Sequence, residues 1–264
     1  SLYNSTGSDN TAVGSYSGNS TSSGAYNSMF GSSAMQFNTT GGYNSAFGAF
    51  SLYSNTTASN NTAVGYQAAY SCATNTGITA IGSSSFKNTT GNDNTGLGRN
   101  TGYSTTTGIV NTFIGVDTGY YNTTGSYNIS ISGLTNNTTG SYNTALGTQA
   151  LNSNTTASNN TAVGYQAGYF TNGGVSSVFV GKGAGYSANS SYSVYIGAAS
   201  GSNYGSAYSA DYNTIVGWNS GNSLQTGAYN TALGASALAS NTTASNNTAV
   251  GYQAGYSNTT GVRL

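Results

Sequence analysis

The chain of 264 residues has no histidine, no proline and no glutamate, one cysteine, and charged residues at only 3% of its length. Average soluble proteins carry roughly 25% charge, and each shortage here closes off a class of function. Proton transfer near neutral pH usually employs a histidine or a carboxylate pair with a tuned pKa. This chain offers four singly scattered acids, Asp9, Asp93, Asp117 and Asp211. Its four bases, Lys87, Arg99, Lys182 and Arg263, are equally dispersed and the net charge is zero. Nucleic acids need a basic footprint that displaces counterions, so they are excluded as partners. Cys72 alone allows no intrachain disulfide and no cysteine-rich zinc site and reads as a small buried thiol. No apolar run approaches the roughly 20 residues of a membrane-crossing helix, and no signal peptide is visible. The first residues lie in mid-pattern, as in a piece cut from a longer chain. The expectation is a protein with no catalytic residues, cofactor or metal.

What is abundant is Asn, Ser, Thr, Gly, Ala and Tyr, and it is arranged periodically. The fifteen-mer SNTTASNNTAVGYQA occurs at 54–68, 153–167 and 240–254. Around its N-T-A-V-G core a register extends through the whole chain. The glycine, or the residue in its place, falls at 14, 31, 48, 65, 82, 98, 115, 132, 147, 164, 181, 197, 217, 234 and 251. Ten of the fourteen steps are 17 residues; the others are 16, 15, 16 and 20. Residues 1–264 therefore read as one array of fifteen rungs, with an irregular step at 198–216.

Counting the glycine as position 0, each column has its own chemistry. Position −1 is always a large apolar residue, such as Val64, Val163 and Val250. Position −3 is Thr, Ser, Val or Ile, and position −4 is Asn in twelve of fifteen rungs, Ile78, Ser177 and Ser193 being the exceptions. Position +3 is Ala, Ser or Thr throughout. Positions −3 and −1 are two apart and share a face on a strand, and β-branched residues at that spacing predict a strand of about five residues. Gly 0 and the N-T-T-G or N-T-T-A segments supply the bends. Helix is disfavoured, since Gly, Ser, Thr and Asn propagate it poorly.

One such rung cannot bury its single Val or Ile; stacked copies can. The expected fold is all-β, a parallel β-solenoid of about fifteen 17-residue rungs roughly 4.8 Å apart. In this reading the ladder residues are Asn61, Val64 and Gly65, Asn160, Val163 and Gly164, and Asn247, Val250 and Gly251. The Val column is expected to form the hydrophobic spine and the Asn column an amide ladder bonding to its copies. Position −2 is usually Ala, with Met29, Phe113, Phe179, Tyr195 and Ile215 as larger members. It reads either as a surface meeting neighbouring chains or as a second core wall.

N-T-A-V-G-Y-Q-A and N-T-A-L-G-T-Q-A resemble the head repeats of trimeric autotransporter adhesins, whose motif runs Asn, small, Ala, Val/Ile/Leu, Gly, two variable residues, Ala or Ser. The N-T-T-G spacers are similar to those in repeat regions of bacteriophage tail fibres and bacterial surface fibres. The adhesin repeat is shorter than the 17-residue step here. The resemblance implies left-handed parallel β-rolls packed as a homotrimer, and a location outside the cell or on a virion.

The functional expectation is a structural fibre shaft that spaces or displays a receptor-binding end. Its alternatives are a self-assembling extracellular filament subunit and, more distantly, an ice-binding solenoid. The partner is the chain itself, through trimerisation, end-to-end or lateral association, with a cell-surface glycan or receptor as a further candidate. The 23 tyrosines offer flat rings for adhesion or for packing along ladders. The insertion at Ser202–Asp211 and the single tryptophan nominate Trp218, Tyr204 and Tyr208 as surface contacts. N-x-S/T sequons recur at Asn55, Asn154 and elsewhere, as turn chemistry in such a composition produces freely.

Overall fold

A computed structural model describes residues 2, 5–204 and 208–261. Arg263 and the centre of the Ser202–Asp211 insertion lie outside the described residues. The chain divides into two compact units, Ser1–Asn128 and Ile129–Leu264. The division falls within the rung that has Ser132 in the glycine column.

In the first unit, seven three-residue strands run from β1 (Thr11–Val13) through β4 (Thr62–Val64) and β5 (Thr79–Ile81) to β7 (Thr112–Ile114). The second unit holds eight, β8 (Ile129–Ile131) to β15 (Thr248–Val250), with β11 (Val178–Val180) and β12 (Val194–Ile196) among them. Within each unit every strand pairs in parallel with the next, in register by column: Thr62, Ala63 and Val64 face Thr79, Ala80 and Ile81, and Val178, Phe179 and Val180 face Val194, Tyr195 and Ile196. The fold is an all-β parallel solenoid with one short strand per rung of about 17 residues. The strands are shorter than expected because the chain turns at once on both sides.

The turns are set by residues of unusual backbone sign. Position 0 glycines have φ between 117° and 140°, a region open essentially to Gly. A Cβ on Gly65 would lie 2.7 Å from the carbonyl of Gly82 one rung on. Positions −5, +2 and +4 are left-handed, as at Asn60 (61°), Gln67 (53°) and Ala69 (48°). The residue aligned at 0 in the odd rung, Ser132, does not stand in for the glycine. Its φ of 59° is that of a +2 residue, while its carbonyl accepts the N–H of Gln149 as a +1 carbonyl does elsewhere, Ala49 from Gln67 for example. The glycine corner is missing there, which accounts for the 15-residue step.

The core lies on the opposite side of the strand from where the pattern placed it. In strand after strand the central residue at −2 is buried, and position −1 is half-exposed. Met29, Phe113, Phe179, Tyr195 and Ile215 are fully or almost fully buried, so position −2 is the core wall. Val64 (38% exposed), Val163 (37%) and Val250 (64%) stand outside. Val and Thr share a face as expected, but that face is outward. The alternation of a strand puts −2 and −1 on opposite faces, and the inward place goes to the −2 column, whose buried side chains range from Ala63 to Tyr195.

Opposite −2 stands +4, the other half of the core. Four of the five large −2 residues face Gly at +4, Phe113 with Gly119, Phe179 with Gly185, Tyr195 with Gly201 and Ile215 with Gly221, while Met29 shares the lumen with Met35. A Cβ on Gly185 would come within 2.2 Å of the Phe179 ring, and one on Gly201 within 2.3 Å of Tyr195. In four of the eight rungs with Ala at −2 a buried Leu or Phe fills the lumen from +4, as Leu52, Phe86, Leu151 and Leu238 do; in the others +4 is Gly18, Ala69, Gly168 or Gly255.

Candidate functional site

The most regular polar feature of the molecule is the interior Asn column. Asn27, Asn44, Asn61, Asn160 and Asn247 are all buried. In the first four of these the Oδ1 accepts the backbone N–H of its counterpart one rung on: Asn27 from Asn44 at 3.0 Å, Asn44 from Asn61 at 3.0 Å, Asn61 from Ile78 at 2.8 Å, Asn160 from Ser177 at 3.0 Å. Each Nδ2 donates to a turn carbonyl, Asn44 to Ala58 at 2.9 Å and Asn160 to Gly174 at 2.8 Å. Side-chain to side-chain bonds occur as well, from Asn44 to Asn27 at 3.0 Å and from Asn247 to Asn230 at 3.1 Å. The ladder expected from the sequence is present, but its main partners are backbone groups. Where Ser replaces Asn the hydroxyl takes over, Ser177 Oγ accepting from Ser193 N–H at 3.2 Å.

A second interior column comes from the turns. Asn55 Oδ1 accepts Ala58 N–H at 3.0 Å, and Asn154 Oδ1 accepts Ala157 N–H at 3.0 Å. Both asparagines are buried, so these sequons offer no amide to a glycosyltransferase in the folded chain. Cys72 occupies the same column, and burial pushes its thiol up to about 12.

Three features face outward. The first is the Thr/Val face, a −3 ladder of mostly Thr beside a −1 ladder of Val, Ile, Leu and Phe; Phe30 and Phe47 stack along it at 4.9 Å. Ten of the fifteen −1 side chains are exposed, and a contiguous exposed apolar row is the kind of surface that can take up a partner. The second is a tyrosine row at −5: Tyr26 stacks on Tyr43 at 5.0 Å, and Tyr192, Tyr212 and Tyr229 stack in series at 5.2 and 5.0 Å. The third is the row at +5, where Tyr53 and Tyr70 stack at 4.8 Å and Tyr103 and Tyr120 at 5.0 Å. Lys87 fills the rung between these pairs, its Nζ 6.0 Å from the Tyr70 ring and 5.5 Å from that of Tyr103, a cation–π spacing. Ring faces covered by one another are closed to a sugar, which leaves edges and hydroxyls for contact.

The insertion separates the nominated contacts. Trp218 is 61% exposed on the corner after its glycine, and Tyr204, 56% exposed, leans on Tyr186 at 4.7 Å. Tyr208 is not a surface residue. It is 6% exposed, pairs with Ala188 in the turn column, and donates its hydroxyl to the Gly201 carbonyl. Its ring enters the lumen beside Tyr195, and burial pushes both phenols above their ordinary pKa. Comparison with models of protein families, with curated proteins and with solved structures finds no match.

Two of the acids hold local partners. Asp211 accepts Ser191 N–H at 2.8 Å, and Asp117 accepts from Asn100 at 2.9 Å and pairs with Arg99 at 3.5 Å. Among the described residues no three metal-ligating side chains of the His, Cys, Asp and Glu types converge. No described helix is long and apolar enough to cross a membrane. The +4 column was the feature that sequence reasoning missed; its signal was the Gly that faces Phe113, Phe179, Tyr195 and Ile215, visible once both columns are written side by side.

Proposed function

We propose that the chain is the shaft of an extracellular fibre, a non-enzymatic rod that spaces or displays a recognition end on a cell surface or virion. The observation that carries this reading is the rung-to-rung repetition of the columns, above all the buried Asn ladder, which fixes register and suits an element whose task is mechanical. The Thr/Val face supports self-association, because it presents an apolar row with almost no charge to repel a second copy. We take the assembled form to be a homotrimer through that face, with a self-assembling filament as the close variant. The resemblance to adhesin and tail-fibre repeats points the same way.

The test is electron microscopy of the purified chain together with light scattering. Uniform protease-resistant rods with the mass of three chains are expected; a stable monomer sinks the trimer, and a protease-labile globule sinks the shaft. The placement of Thr and Val on one outward face favours a second reading, an ice-binding surface. A freezing gap in a thermal-hysteresis measurement would move the assignment there.

A further inference from the structure

The −5 corner carries tyrosine in a backbone conformation that disfavours it. Tyr26, Tyr43, Tyr192, Tyr212 and Tyr229 have φ between 54° and 59°, where Asn or Gly sits at less cost. What these side chains gain is one another. Tyr212 lies between Tyr192 at 5.2 Å and Tyr229 at 5.0 Å, with interplanar angles of 11° and 2°. Tyr26 and Tyr43 form the same pair in the first unit, at 5.0 Å and 11°. Near-parallel rings displaced by one rung place each ortho carbon about one ring spacing from its copy. All five rings are about half exposed, so solvent-borne oxidants reach them and their edges are free to swing together.

We infer that the −5 tyrosine stacks are sites of oxidative cross-linking, at which a peroxide-driven one-electron oxidant such as a haem peroxidase joins successive rungs through dityrosine. Each phenol gives one electron to the oxidant and its hydroxyl proton to water. The two phenoxyl radicals pair to form an ortho–ortho carbon–carbon bond. Each ring then moves its ortho hydrogen to the oxygen and regains aromaticity. Two tyrosines and one hydrogen peroxide thus yield one dityrosine and two waters.

The rest of the chain does not compete well for the oxidant. Met29 and Met35 are fully buried. Cys72 is buried, with its thiol pushed up to about 12, and so lacks the thiolate that oxidation requires. The exposed Trp218 is the single tryptophan and has no second copy to couple with. The +5 rings are less exposed and are held on their edges by Phe50, Tyr121 and Phe170, which concentrates coupling at the −5 corner.

The experiment treats the dilute folded chain with a haem peroxidase and hydrogen peroxide, follows dityrosine fluorescence, and maps linked peptides by mass spectrometry after non-specific proteolysis. Links between Tyr192 and Tyr212, between Tyr212 and Tyr229, and between Tyr26 and Tyr43 are expected, each with the loss of two hydrogen atoms. The chain unfolded in denaturant should lose this preference. In Tyr212→Phe, which keeps the stack but removes the phenol, the second unit's links should vanish while Tyr26–Tyr43 persists as the internal control. Links spread over unstacked tyrosines such as Tyr16 and Tyr252, links mainly between chains, or an unchanged second-unit yield in Tyr212→Phe would overturn the proposal. Should Tyr212→Phe fail to fold, the contrast between the folded and unfolded native sequence decides the matter.

Discussion

At the scale of the residue, the buried Asn of position −4 is the group this fold depends on most. Asn160 satisfies the N–H of Ser177 and the carbonyl of Gly174, both in the interior. Replacing it with Ala removes both partners without admitting water, and each orphaned group costs about 1–3 kcal/mol. Asn160→Ala should therefore lower the denaturation midpoint clearly, while Asn160→Ser should recover part of the loss, since Ser177 and Ser193 already play the role elsewhere. Chemical denaturation followed by circular dichroism reads both. Cys72 supplies a pH test. Its thiol moves from an ordinary 9.0 to about 12 on folding, so between these values the unfolded chain releases a proton that the native chain retains. Stability attributable to this group is intact below pH 9 and falls above it, by at most about 1.4 kcal/mol per pH unit. Cys72→Ala should flatten the alkaline fall relative to the native sequence, and a thiol reagent at pH 8 should label Cys72 only after unfolding. Rapid labelling of the folded chain would contradict that burial.

At the scale of the element, one rung is a strand of three residues whose inward side chain shares its volume with the +4 residue of the same rung. The sequence reading found the period, the strand, the bends and the Asn ladder, because each repeats in one column and has a local cause. It placed the core on the wrong side of the strand, taking Val64 and its copies as the spine because Val is more apolar than Ala. Apolarity was the weaker criterion here. The −2 column, which shares the lumen with +4, takes the inside, so Ala63 is buried and Val64 is carried outward. Tyr208 was misplaced for a related reason: an insertion was equated with exposure, whereas only Tyr204 at its start is outside. The pairing of Phe179 with Gly185 gives the volume argument a direct test. Phe179→Ala should cost about 3–5 kcal/mol, and Gly185→Leu alone should be harmful because its side chain meets the Phe179 ring. The double variant reproduces the Ala145 and Leu151 arrangement, so it should be more stable than either single variant, with a coupling energy well above the error of a double-mutant cycle. Additive losses would show that the two columns do not share one space.

At the scale of the molecule, the near absence of charge and the outward Thr/Val ladder act together. A row of Val163, Val180 and Ile196 stands in register on the outer face of the second unit, and the nearby backbone carries no proline to block pairing. Solvent-exposed hydrophobic rows are costly to leave in water at roughly 25 cal/mol per Å², which provides the drive for a second copy to cover them. Lysines at Val163 and Ile196 would set two like charges against any symmetric partner while the side chains stay on the solvent side of the strand. Val163→Lys/Ile196→Lys should thus abolish self-association in light scattering and shift the melting temperature of the isolated chain little, because substitutions at exposed sites usually lie within about 0.5 kcal/mol. Phe179→Ala should do the reverse, weakening the fold from inside while leaving the outer face chemically intact. If the lysine variant still assembles with native stoichiometry, the copies meet elsewhere, and the Tyr rows become the next face to test. If it unfolds, the Val column contributes to the core after all, and the division between an inner Ala wall and an outer Val ladder fails.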